Sequence, residues 1–148
     1  RSPHTLLQLG PKAKGAIGLA TSRLDGFVSL DRVKGRATDV IPLNSNVTEY
    51  SQVVTRSFSF SGSEMHLNMQ ASLQQWGAGP CEVRIELMEP NHDYINGYEF
   101  DNADPITTSG LDHVVSWGGK SDLSSLSGKP IKLRFYFKNA KLYSFQFR

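Results

Sequence analysis

The sequence predicts an all-β fold: two antiparallel sheets stacked as a β-sandwich of jelly-roll type. Three observations carry this. Apolar residues recur at every second position through much of the chain, turns bearing Gly, Pro or Asn separate those runs at short intervals, and one short stretch alone has helical character. A sheet with one apolar face needs a cover, and in a chain without substantial helices the cover is a second sheet.

Taken in order, Thr5 to Leu9, Ile17 to Arg23, Phe27 to Leu30 and Gln52 to Phe60 read as strands. The cleanest run follows, with Met65, Leu67, Met69, Ala71 and Leu73 on one face and His66, Asn68, Gln70, Ser72 and Gln74 on the other. Val83, Ile85 and Leu87 alternate with Arg84, Glu86 and Met88; Ile131, Leu133, Phe135 and Phe137 alternate with Lys132, Arg134, Tyr136 and Lys138. The last segment sets Tyr143, Phe145 and Phe147 against Leu142, Ser144 and Gln146, which ties it into a sheet. The strands number about eight to ten. Ser121 to Leu126, closed by Gly128 and Pro130, reads as one capped helical turn. Gly35 to Ser51 and Asp101 to Leu111 read as surface loops.

A length of 148 residues fits one domain, 1–148, and with 39% hydrophobic and 20% charged residues it can bury a core without disulfide or metal staples. A net charge of +2 with interspersed signs forms no basic stripe, so nucleic acid is not an expected partner, and no apolar run is long enough for a membrane-spanning helix. Cys81 is the sole cysteine, which excludes an intrachain disulfide and reads as an inert core thiol. Arg1-Ser2-Pro3 resembles neither an initiator Met nor a signal peptide, so the domain reads as excised from a longer multidomain protein. Asn46-Val47-Thr48 fits the N-glycosylation pattern and points to an extracellular, secreted setting.

No signature of nucleophilic catalysis is legible. Asp112-His113 with Ser116 has suitable residue types, but neighbours in a strand point to opposite faces, which keeps Asp112 and His113 from forming a dyad. His4, His66, His92 and His113 lack zinc-site spacing. Asp101 and Asp104 are close enough to serve one hard cation, so calcium is the cofactor to consider, with turn chemistry as the simpler role for both.

Sugar recognition asks for a flat aromatic face and a few planar polar groups. The loop Pro90 to Tyr98 crowds His92, Asp93, Tyr94, Asn96 and Tyr98 between strands and is the favoured site. Trp76, in the Gly- and Pro-bearing connection Gln74 to Pro80, is a second aromatic candidate. The polar strand face of Asn68, Gln70 and Gln74, continued by Arg134, Tyr136 and Gln146, is a third, with a plain solvated face as the competing reading. Trp117, after Val114 and Val115, reads as a core plug.

The segments Gly18 to Leu30 and Lys129 to Phe147, with His113-Val114-Val115-Ser116-Trp117, Ser121-Asp122-Leu123 and Asp104-Pro105 between them, resemble the β-sandwich module that follows the five-bladed propeller in bacterial and marine-invertebrate proteins similar to glycoside hydrolase family 32. The resemblance implies that catalytic carboxylates belong to an upstream propeller. It also implies kinship with carbohydrate-binding modules that recognise fructans or other glycans, or with modules that only brace their propeller. It supplies no ligand residues. The expected function is therefore a non-catalytic, lectin-like carbohydrate-binding module, partnered by an oligo- or polysaccharide and an adjacent catalytic domain. The alternative is a structural accessory domain.

Overall fold

The computed structural model describes residues 50–71 and 79–148. Within them lie β1 (Ser51–Val54), β2 (Phe58–Ser59), β3 (Met65–Ala71), β4 (Glu82–Met88), β5 (Gly110–Val114), one 3-10 turn (Ser124–Leu126), β6 (Pro130–Lys138) and β7 (Ala140–Phe147). All pairings are antiparallel and fall into two sheets: β6 is flanked by β4 on one edge and by β1 then β2 on the other, and β3 lies between β5 and β7. The expected strands Thr5 to Leu9, Ile17 to Arg23 and Phe27 to Leu30 lie outside the described residues, as do Asn46 to Thr48, Gln74 and Trp76.

The inner faces share one core. Met65, Leu67 and Met69 of β3 meet Val83, Ile85 and Leu87 of β4, Ile131, Leu133, Phe135 and Phe137 of β6, and Ala140 and Leu142 of β7. In β3, β4 and β6 these are the residues that period two assigns inward, so there the hydrophobic pattern sets the register. Cys81 is half-buried and packs against this core. The architecture is thus all-β, with two antiparallel sheets in a sandwich-like arrangement.

Four local expectations are corrected. Gln52 to Phe60 is two strands, because Thr55 leaves the ladder: its amide still donates to the Leu133 carbonyl (2.9 Å), while its hydroxyl accepts the Leu133 amide (3.0 Å). The segment Asp101 to Leu111 is loop only in part, since Ala103 is buried, Ile106 bridges to Val83, and Gly110 and Leu111 open β5. In β7 the inward phase changes midway. Met69 pairs with Leu142 but Asn68 pairs with Ser144, which leaves Tyr143 as an extra, bulged residue. Leu142 therefore points inward with Ala140, and beyond the bulge Phe145 and Phe147 do so instead, packing on Phe58 and Phe60.

The fourth correction concerns Arg134 and Tyr136. They cannot continue the polar face of Asn68 and Gln70, because β6 and β3 belong to different sheets, and both residues are buried. Their face of β6 is roofed: the Phe100 ring meets Tyr136 edge-on at 4.6 Å, and Tyr50 meets Phe100 at 5.4 Å. Under that roof the Arg134 guanidinium donates to Glu86 Oε1 (3.1 Å) and the Tyr136 hydroxyl donates to Glu86 Oε2 (3.0 Å). Burial pushes the Glu86 carboxyl above its ordinary value, and Arg134 and Tyr136 pull it back down in part.

Candidate functional site

The favoured loop is well ordered by its own polar groups, and this divides its candidate residues. The Asp93 amide donates to Asn91 Oδ1 (3.2 Å) while Asn91 Nδ2 donates to Asp93 Oδ2 (2.7 Å), so Asp93 is a turn residue. His92 takes a left-handed backbone (φ 74°) and sets its Nε2 2.9 Å from Lys132 Nζ. Tyr94, 54% exposed, bridges by its backbone to Met88, and its side chain helps to favour the charged form of Arg134. Asn96 and Tyr98 instead turn toward Trp117. The structure does not bring the predicted set together: Asn96 and Tyr98 enter one cleft, and His92, Asp93 and Tyr94 stand outside it.

That cleft, of about 650 Å³, is lined by Asn96, Gly97, Tyr98, Asn102, Trp117, Gly118, Lys120, Ser121 and Asp122. Trp117 is the floor. Its indole N–H donates to the Ile85 carbonyl (2.8 Å) and it is only 3% exposed, so the core-plug reading holds. The half-buried Tyr98 ring rests edge-on against the indole at 5.2 Å. Gly118 and Gly119 both have positive φ (57° and 77°) and form the two-residue turn of a tight hairpin. That turn brings Lys120 directly across from Trp117.

Asp104 braces the hairpin. Its Oδ2 accepts the Ser116 hydroxyl (2.6 Å) and the Gly119 amide (2.7 Å), and the Gly118 amide donates to the Asn102 carbonyl (2.8 Å). Ser116, then Gly119, hold the Asp104 carboxyl below its ordinary value against desolvation. Asp101 is exposed on the neighbouring turn. Among the described residues no three His, Cys, Asp or Glu side chains form a group that could hold a metal ion.

The Asp104 contacts have a pH signature. A folded-state pKa below the unfolded one gives stability that is full above about pH 4 and is lost as pH falls through the lower folded value. Melting curves between about pH 5 and pH 2 should therefore show a smaller acid-induced fall in Tm for Asp104→Asn than for the parent chain. An equal fall in both would contradict the assignment.

The cleft carries mixed charge. Glu99 accepts from the Gly97 amide and from Asn102 Nδ2 (both 2.7 Å), and its carboxyl is held low first by its own backbone amide. Asp122 is held low by the Ser124 amide, which donates to its Oδ1 (2.8 Å). The Asp122 carboxylate, the Asn96 and Asn102 amides and the Lys120 ammonium thus line a cleft with one half-exposed aromatic ring, a set suited to a neutral polyhydroxyl ligand. Sequence reading missed Asn102, Lys120, Ser121 and Asp122. The Gly118-Gly119 pair flanked by Trp117 and Lys120 was the available signal, as a tight-turn motif.

A second, smaller groove of about 330 Å³ lies on the outer face of the β5-β3-β7 sheet, where His66, Asn68, Leu111, Asp112, Ser144, Gln146 and Arg148 contribute to its lining. Of the predicted strand-face site, Asn68 and Gln146 line it, and Gln70 sits beyond, accepting the Tyr143 hydroxyl (2.7 Å). β5 also has an extra residue here, since Leu67 pairs with His113 but Met69 pairs with Gly110. His66 Nδ1–H donates to Asp112 Oδ1 (2.8 Å), and the Arg148 guanidinium donates to Asp112 Oδ2 (3.0 Å). Desolvation works against the Asp112 carboxylate, yet His66 and Arg148 hold its carboxyl below the ordinary value. The dyad that Asp112 cannot form with His113 is formed with His66, from the next strand.

No family model, curated protein or solved structure matches this chain.

Proposed function

We propose that this domain is a non-catalytic carbohydrate-binding module, built on a jelly-roll sandwich, that holds a glycan for an appended, secreted glycoside-processing enzyme. The observation that carries the reading is the Tyr98 ring, steadied edge-on by buried Trp117 inside a cleft edged by Asn96, Asn102, Lys120 and Asp122. A sugar ring buries its apolar C–H face on an aromatic side chain while its hydroxyls exchange hydrogen bonds with amides and carboxylates. Asn96, Tyr98 and the Trp117 hairpin supply both halves of that demand. The resemblance to modules that accompany family 32 glycoside hydrolases points the same way and nominates fructans as the first ligands to try.

The test is a glycan array spanning fructans, marine polysaccharides and simple sugars, followed by titration of the best binder. Tyr98→Ala should weaken that binding by about 1–3 kcal/mol, the scale of a lost aromatic contact. Silence across the array would end the sugar-binding reading. The bracing-domain alternative is favoured by Leu111 and Val114 on β5, which are 50% and 46% exposed. Such side chains are natural points of contact with a neighbouring domain.

A further inference from the structure

The loop cleft and the sheet-face groove are joined by a continuous polar ridge. Ser121, which lines the cleft, donates its hydroxyl to Glu64 Oε1 (2.9 Å). The other Glu64 oxygen faces His66 Nε2 at 3.8 Å, and His66 lines the groove. From His66 the chain of contacts runs on through Asp112 to Arg148. One carboxylate and two contacts therefore separate the linings of the two depressions. The Glu64 side chain is 45% exposed, so the ridge is itself wetted and offers an acceptor to anything lying across it.

The two depressions also differ in a complementary way. The cleft has the aromatic platform. The groove offers Asn68, Ser144 and the exposed Gln146, Asp112 and Arg148, beside apolar lining from Leu67, Leu111 and Phe145. Its polar groups hold an isolated sugar weakly, because every hydrogen bond formed replaces one to water. Their contribution grows when a neighbouring unit is already anchored, since the second contact is then intramolecular.

We propose that cleft, ridge and groove form one track for an extended oligosaccharide chain rather than a pocket for a single terminal ring. Tyr98 anchors one unit, Glu64 accepts from hydroxyls of the intervening stretch, and Gln146 and Asp112 hold a later unit. This inference rests on the sugar-binding reading above and adds the length and form of the ligand.

The experiment is calorimetric titration of the full chain with size series of one to six rings from glucan, mannan and fructan oligosaccharides, in parallel with Gln146→Ala, Glu64→Gln and Tyr98→Ala. In the series that binds, affinity should rise at least about tenfold from one ring to six. Gln146→Ala and Glu64→Gln should erase most of that rise, and Tyr98→Ala should weaken every length. Gln146 is exposed, so its variant keeps the test valid should Glu64→Gln fold poorly. Affinity independent of length, or six-ring binding untouched by Gln146→Ala, would overturn the track and leave a single-ring site at Tyr98. Absence of binding at every length would overturn the sugar-binding reading and the track with it.

Discussion

Glu86→Ala will destabilise the domain by about 3–5 kcal/mol, measured as a fall in the urea unfolding midpoint at constant m-value. The carboxylate and its partner Arg134 are 1% and 3% exposed, and Glu86 receives both the guanidinium and the Tyr136 hydroxyl. Removing it takes from the buried Arg134 cation its carboxylate and from the Tyr136 hydroxyl the acceptor at Glu86. The informative control removes the whole network. In Glu86→Leu, Arg134→Met, Tyr136→Phe combined, no uncompensated charge remains, and stability should return to within about 2 kcal/mol of the parent. A combined variant as unstable as the single one would show that packing, and not charge, is what Glu86 contributes.

Trp117→Ala will cost a similar amount, about 3–5 kcal/mol, because it empties the largest side-chain volume between the Tyr98 loop and β4. Two effects add. The cavity takes away the edge-on support of Tyr98, and the Ile85 carbonyl loses the indole N–H. Trp117→Phe separates them: it refills most of the space and should cost about 1–3 kcal/mol, the scale of an acceptor left buried. Thermal or urea melts measure both. If Trp117→Phe and Trp117→Ala were equally unstable, the hydrogen bond and not the volume would dominate.

Period two was enough to place β3, β4 and β6, because their inward residues Met65 to Met69, Val83 to Leu87 and Ile131 to Phe137 alternate without interruption. It misled in β7. Ala140 and Leu142 alternate in one phase and Phe145 and Phe147 in the other, and each half is a legitimate strand pattern by itself; only pairing with β3 reveals that Tyr143 absorbs the change. The burial of Arg134 and Tyr136 was illegible for another reason. Periodicity says which residues share a face, but not that Tyr50 and Phe100, distant in sequence, will cover it.

The candidate site was half legible. The crowding of rings and amides between Asn91 and Tyr98 flagged the right loop, yet the loop's internal bonds send His92 and Tyr94 toward β6 and leave only Asn96 and Tyr98 facing Trp117. The opposite wall comes from Lys120 to Asp122, whose place depends on a tight glycine turn and on the Asp104 brace. Glu64 directly precedes β3, two residues from His66, so their shared face follows from period two, whereas its contact with Ser121 exists only in three dimensions.

The doubled position at Tyr143 also locks the alignment of the final strand. A slip of one residue along β3 would turn Lys141 and Gln146 inward and expel Leu142 and Phe147, so the shifted pairing fails on both sides of the bulge. A strand from another molecule could take the place of β7 only by carrying a spare residue at the same level. The irregularity therefore keeps a regular, unbulged strand from taking that place beside β3, while it shapes the surface beside Asn68.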